Sequence, residues 1–321
     1  MISIIMIVYD VEKYVEQSIK SVLAQTYRDI ELIIVATEGD DASTDICRRY
    51  AEQDSRIKLI VAPPNGIADA RNRGMAAVTG DWLGFVDSDD FVEPKMYETM
   101  LANAGKYDAD IAVCGRYYEY VNTTLYDKAC EPKVYTASEA IAVTLGHDGF
   151  FLHCWDKLYS RKIFEGLTFR TDITVEDRIV VDRLLSKADR VVYDPTPMYH
   201  FRERYGSNSK RGGMLQNNIE ADVLLEEFIY SEHPELANEC NSFMLYEYVT
   251  AIQNALAHGG VAKSEIKIYK DRVRELSKVN NPLITKSLKI KVMMALYAPF
   301  VLKAYTKKMQ KSVATKLERF P

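Results

Sequence analysis

The first ninety residues repeat one rhythm, and that rhythm leaves few architectures open. Ile2 to Tyr9, Ile30 to Val35 and Ile57 to Val61 are continuous apolar, β-branched runs, and a fourth, Trp82 to Val86, ends at Asp87. Between them lie stretches with helical spacing: Val11 to Gln25, Ser43 to Gln53 with Ser43 as the expected N-cap, and Ile67 to Val78. A strand that is apolar on both sides must be covered on both sides. Strands separated by helices of this length pair in parallel. Pro94 opens a further helix at a position that suits proline, and Ile111 to Cys114 reads as another strand. The expected fold is α/β: a mainly parallel sheet with helices on both faces.

The fourth run empties into Asp87, Ser88, Asp89 and Asp90. Clustered carboxylates at a strand end stand where open α/β sheets bind ligands. They repel one another unless protons or a cation neutralise them. Mg²⁺ or Mn²⁺ with a phosphorylated substrate would do so, because these hard ions take few protein ligands and complete their shell with phosphate and water. The bland reading is a solvated acidic turn.

With 321 residues, 47% of them apolar, the chain can bury a sizeable core. Its five cysteines are odd in number and show no paired spacing, so they read as buried reduced thiols of a cytoplasmic protein. The first apolar run has no basic segment before it and reads as a strand rather than a secretion signal. No apolar run reaches the ~20 residues that span a bilayer.

Several segments carry a family resemblance. Ser3 to Asp10, Gln25-Thr26-Tyr27, Ala70-Arg71-Asn72-Arg73-Gly74, Phe85 to Asp90, Trp155 to Tyr159, Val175 to Arg178 and Met198 to Arg202 stand in the order and spacing of the family 2 inverting glycosyltransferases. The chain resembles the bacterial cell-surface polysaccharide type. The resemblance implies the GT-A (Rossmann-like) fold, a nucleotide-sugar donor, usually UDP-linked, Mn²⁺ or Mg²⁺ at the Asp-x-Asp, and one carboxylate as catalytic base. Ile7 and Asp10 depart from the family, which has proline and asparagine there.

Residue by residue, the resemblance implies the following roles. Tyr9 stacks near the nucleotide base. Asp87 meets the ribose and the surroundings of the metal, Asp89 ligates it, and Ser88 lies with them on the nucleotide-sugar side. Arg71 serves the diphosphate or the Asp-x-Asp. Asp177 is the base, with Glu176 as its backup. His200 touches the metal or phosphate, and Arg202 or Arg204 partners a phosphate. The family's two aspartates after the second strand are replaced by Ala36-Thr37. Either Thr37 supplies the hydrogen bond to the base, or the loop Glu38-Gly39-Asp40-Asp41 supplies a displaced carboxylate. Trp155 and Lys157 border the acceptor side, where the indole either stacks on a sugar or packs in the core. Residues 206–213 read as a mobile lid.

The expected domains are a catalytic domain over 1–213, a helical region over 214–282 that packs on the first domain or on a second subunit of a homo-oligomer, and a basic amphipathic tail over 283–321. Asn238 and Ser264 are the expected caps of helices in the second. In the tail, eight lysines and Arg319 face Glu318 alone, a net +8 that leaves the rest of the chain at −13. Such a tail either lies on an anionic membrane surface or packs on the protein with solvated lysines. An acidic body without base-stacking signatures argues against nucleic acid. The expected partners are a nucleotide-sugar donor and a glycan or lipid-linked acceptor at the inner face of the cell membrane. Two rivals are a non-catalytic scaffold and a sugar-phosphate nucleotidyltransferase, although the latter's glycine-rich loop is missing after the first strand.

Overall fold

A computed structural model describes residues 1–147, 149–173, 175–204, 214–259, 261–314 and 317–320. The lid expected at 206–213 lies outside them. The chain divides into two compact units, residues 1–141 with 149–204 and residues 142–148 with 205–321.

The first unit opens as expected: β1 (Ile2–Val8), α1 (Val15–Leu23), β2 (Ile30–Thr37), α2 (Ser43–Gln53), β3 (Ile57–Ala62), α3 (Ile67–Ala76) and β4 (Trp82–Phe85). β5 (Phe91–Val92), α4 (Met96–Tyr107), β6 (Ile111–Glu119), β7 (Thr124–Tyr126), β8 (Lys133–Tyr135) and the start of α5 (Ala137–Gly146), whose residues from Ala142 onward count with the second unit, follow. The unit closes with β9 (Lys157–Ser160), α6 (Glu176–Lys187) and β10 (Val191–Arg202). The strands form a single sheet with the main order β3-β2-β1-β4-β9-β6-β10-β5. Its first four strands are parallel, as their unbroken apolar character predicts. β9 then enters antiparallel to both β4 and β6, so the second half is mixed.

Helices attach to the sheet through apolar faces and a few close contacts. Val15, Ser18, Ile19 and Val22 form the buried face of α1. Gln25, fully buried, donates to the carbonyls of Ser21 and Glu93 and accepts the N–H of Tyr97, pinning the end of α1 to the start of α4. Gly74 lets α3 lie against β1, since a Cβ there would come within 2.8 Å of Ile5.

Three local expectations need correction. Ser43 does not cap α2 from outside: its hydroxyl accepts the N–H of Val11, and the Asp41 carboxylate accepts the Ser43 N–H at 2.9 Å. Ser264 and Asn238 lie inside helices rather than capping them. β10 runs on past Pro195 and Pro197 to Arg202, because the two prolines sit where the β10–β6 register slips, a place that tolerates a missing N–H. That continuation carries Tyr199, His200 and Arg202 up to the sheet's rim.

The second unit is helical: α7 (Met214–Glu232), α8 (Ala237–His258), α9 (Lys263–Leu276), α10 (Lys286–Tyr297) and α11 (Pro299–Ala314). Pro299 at the first position of α11 divides the apolar run of residues 292–302. Buried Leu288, Val292, Ala295 and Leu302 pack α10 and α11 within this unit, and Gln253 on α8 donates to the Thr306 hydroxyl. No described helix is long and apolar enough to cross a membrane. Of the five free cysteines, four are buried and Cys130 is exposed, against the expectation that all are buried.

Asp182, fully buried on α6, has no hydrogen-bond partner for either carboxylate oxygen among the described residues. Burial pushes its carboxyl up to about 8, with Arg183 opposing. The folded protein therefore holds a proton there to about pH 8, whereas an unfolded chain releases it near pH ~4. Between those values the folded state binds more protons, and stability falls as pH rises. Asp182→Asn should flatten this decline, bringing the melting temperatures at pH 5 and pH 8 closer together than in the parent. An unchanged difference between the two melting temperatures would refute the assignment.

Candidate functional site

β1, β2 and β4 run parallel, so Tyr9, Thr37 and Asp87 leave the sheet at one rim. β9 reverses direction and β6 reverses it again, so the start of β9 and the ends of β6 and β10 reach the same rim. Segments far apart in sequence converge there because two antiparallel steps restore the original direction.

Ligand atoms of Asp87, Asp89 and Asp90 lie within 4.8 Å of one another. Asp90 is the scaffold of the three. Its two oxygens accept the Tyr199 hydroxyl at 2.9 Å and the Arg202 N–H at 2.7 Å, tying β10 to the end of β4. The same Tyr199 hydroxyl accepts the N–H of Asp87. Asp89 pairs through one oxygen with Arg204. Burial pushes Asp87 up to about 6, with Arg71 opposing and Asp89 adding to the rise. Burial, then Asp89 and Asp87, push Asp90 well above the carboxylate range. A hard divalent cation fits this oxygen set. Asp87 and Asp89 would hold it, because both oxygens of Asp90 are already engaged.

His200 does not join them, and its assignment to the metal is corrected. Its register partners on β5 and β6 are Phe91 and Tyr117, and its ring stacks between theirs at 4.1 and 4.3 Å. Nδ1 lies 2.7 Å from a Glu119 oxygen and Nε2 lies 3.0 Å from one of Glu93, so neither nitrogen is turned to the aspartates. Arg202 is a brace as well. It is 6% exposed, donates to the Asp89 carbonyl and to Gln17, and lies over the rings of Tyr14 and Phe91. Arg204 is the guanidinium that meets the Asp89 carboxylate.

The acidic pair opening α6 is held by α3. Arg71 forms a buried ion pair with Glu176 and lies over the ring of Phe169. Asn72 donates to the Phe169 carbonyl at 2.8 Å and accepts its N–H at 2.9 Å. Arg71 thus meets Glu176 directly, rather than the Asp-x-Asp, while its charge still reaches Asp177 and Asp87. Burial pushes Glu176 up to about 7 against the pull of Arg71. Asp177 is different. Burial raises it, but the neighbouring His153 and the Arg71 charge outweigh that and hold it down to about 2. Its side chain is 21% exposed, and His153 Nδ1 lies 3.7 Å from it.

On the side expected to face the acceptor, Lys157 is corrected to a core residue. It is fully buried, and its ammonium donates to the carbonyls of Phe151 and His153 and to Asp156. Trp155 belongs to the core cluster, stacked with His153, Tyr199 and Phe201, and does not offer a face to a sugar. The exposed ring at this place is His153, half exposed, which nothing in the sequence singled out.

At the other end of the rim, Tyr9 is 47% exposed beside Gly39, the glycine of the turn over residues 38–41. Asp10 adopts a left-handed φ of 49°, which aspartate tolerates, and accepts the Asp40 N–H. Thr37 is buried, as is Ser88. Glu38 pairs with Arg48, and Asp41 receives the N–H groups of Glu12 and Ser43, so both are engaged in shaping the loop. Asp40 is the exposed carboxylate that the same turn sets beside Asp10.

Comparison with known proteins agrees with this geometry. The model of glycosyl transferase family 2 matches residues 3–168. The chain is 33% identical over 290 residues to EpsJ of Bacillus subtilis (strain 168), an uncharacterised glycosyltransferase, covering 86% of this chain and 83% of that one. It is 32% identical over 225 residues to the glycosyltransferase GlyA of Streptococcus pneumoniae serotype 4 (strain ATCC BAA-334 / TIGR4). That match covers 65% of this chain but only 31% of GlyA. In structure it is similar to residues 1–349 of S. aureus TarS, solved with UDP-GlcNAc, with a TM-score of 0.70 at 15% identity over 98% of this chain and 91% of that one.

Removing one partner of a buried ion pair strands the other, typically at about 3–5 kcal/mol. Glu176→Gln should therefore destabilise the protein by about that much in urea unfolding, whereas Asp177→Asn, at a more exposed carboxylate, should cost clearly less. Equal losses would show that Arg71 draws on both acids alike.

Proposed function

The chain belongs to glycosyl transferase family 2, and from that premise we propose that it is a metal-dependent inverting glycosyltransferase. It would move a sugar from a nucleotide diphosphate donor to a hydroxyl of a glycan or lipid-linked acceptor. The observation that carries this reading is the convergence of two carboxylate sets on one rim. Asp87 and Asp89 end β4, Asp177 opens α6, and the charge of Arg71 acts on Asp87 and Asp177 together.

Each residue then has a task. Asp177, ionised at neutral pH and partly exposed, takes the proton from the acceptor hydroxyl. The freed oxygen attacks the anomeric carbon on the face opposite the diphosphate. The bond from that carbon to the phosphate oxygen breaks as the new one forms, which inverts the centre. His153 and the first turn of α6 keep Asp177 charged and aimed. Glu176 holds Arg71 in place rather than acting as base. Asp87 and Asp89 would hold Mn²⁺ or Mg²⁺, which when bound would supply positive charge to offset the departing diphosphate. Arg204 adds a guanidinium at the Asp89 carboxylate. Tyr9 offers an exposed ring to the base, and Asp40 takes the place of the missing base-reading aspartates. UDP-GlcNAc, the ligand of TarS, is the donor to try first. A peripheral position on the inner face of the cell membrane completes the proposal, because a lipid-linked acceptor would be met there.

Asp89→Asn should abolish turnover and the Mn²⁺-dependent part of donor binding in calorimetric titration, while the protein still folds. Near-normal activity with an intact metal response would sink the metal assignment. Asp177→Asn should lower turnover by about 10²–10⁴ while donor affinity is kept, since the base acts on the acceptor. If Glu176→Gln is the variant that retains its fold yet loses turnover, and Asp177→Asn is not, the two roles must be exchanged.

A further inference from the structure

Burial alone shows that α10 carries two apolar faces. One is inside: Leu288, Val292 and Ala295 of α10, with Leu302 of α11, are buried within the second unit. An amphipathic helix needs only this face, and the opposite side should be polar. On α10 it is not. Ile290, Met293 and Tyr297 recur at three- and four-residue spacing directly opposite the buried stripe, and Phe300, just past the Pro299 break at the start of α11, is exposed as well. These four are 60%, 58%, 70% and 75% exposed, and the last two exceed every other large apolar side chain among the described residues.

The polar groups around the row are of one sign. Lys286 and Lys289 flank it on α10, and Lys303 and Lys307 follow on the exposed side of α11. Residues 283–317 contain no Asp or Glu. An uncompensated basic field around a bare apolar row discourages self-association, because a second copy would bring the same charge to the contact. It fits a surface that is negative at its face and apolar just beneath.

We propose that the exposed row Ile290-Met293-Tyr297-Phe300 and its surrounding lysines form a docking surface for an anionic lipid bilayer. α10 and the start of α11 lie at headgroup depth, the four apolar side chains enter the acyl boundary, and the lysine ammonium groups reach the lipid phosphates. The surface deepens the peripheral location proposed above, and it lies wholly within the second unit. The inner faces of α10 and α11 are already packed, so the helices are built before the membrane is met rather than folding upon it.

The test is co-sedimentation of the full chain with phosphatidylcholine vesicles, with and without phosphatidylglycerol. The parent should bind the phosphatidylglycerol vesicles, less so as salt is added. Tyr297→Ser/Phe300→Ser should weaken that binding by about tenfold or more without lowering the melting temperature, because both side chains are exposed. Lys303→Glu/Lys307→Glu should remove the preference for anionic lipid. Parent-like binding by both double variants would overturn the proposal. So would a parent that fails to sediment and forms dimers that the Tyr297/Phe300 variant dissolves, which would give the row to a second copy. Donor hydrolysis, measured alongside, separates the two readings: its absence with vesicle binding intact would count against the transferase and leave the docking surface standing.

Discussion

The site depends on one buried ion pair, Arg71 with Glu176. α3 and α6 are separated by about a hundred residues of chain, yet the first turn of α6 must stand beside the end of β4 for the acids to act together. A charge buried on either side alone would be costly, whereas the pair with Phe169 and Asn72 around it is satisfied. The arrangement also divides labour between adjacent acids. Glu176 anchors, and its neighbour Asp177 is left at the rim with His153.

A similar division runs through the aspartates after β4. Three carboxylates this close cannot all serve a ligand without heavy repulsion. Asp90 is withdrawn into bonds with Tyr199 and the backbone of Arg202, which locks β10 against the end of β4, while Asp87 and Asp89 stay half-buried beside it. The aromatic stack of Trp155, Tyr199 and Phe201 supports the same joint from within. His200 and Arg202, on either side of Phe201 in the chain, are engaged by neighbouring segments and so serve as structure too.

The helical unit answers a question that its sequence leaves open. A basic, apolar segment such as residues 283–321 can either pack on the protein or present itself to a surface. Here one face of α10 does the first, and the opposite face remains apolar and ringed by lysines. The two readings are compatible because a helix has more than one side.

The sequence by itself determined the βα rhythm, the parallel half of the sheet, the acidic end of β4 and the acidic opening of α6. These are local properties: unbroken apolar runs, helical spacing and the residues immediately after them. Ser43 was misplaced as a cap because its hydroxyl is taken by the backbone N–H of Val11 from another segment, and Asn238 and Ser264 fall at the second residue of their helices. Tertiary structure alone decided which members of each motif stay at the rim and which are engaged as structure. His200, Lys157 and Trp155 carry the right chemistry for a site, but burial holds Lys157 and Trp155 in the core and strand register sets His200 between Phe91 and Tyr117. His153 carries no signal in the chain and reaches Asp177 only because β9 runs against its neighbours and starts at the rim. Pairing between strands far apart in the chain sets these directions, and no local pattern of residues encodes them.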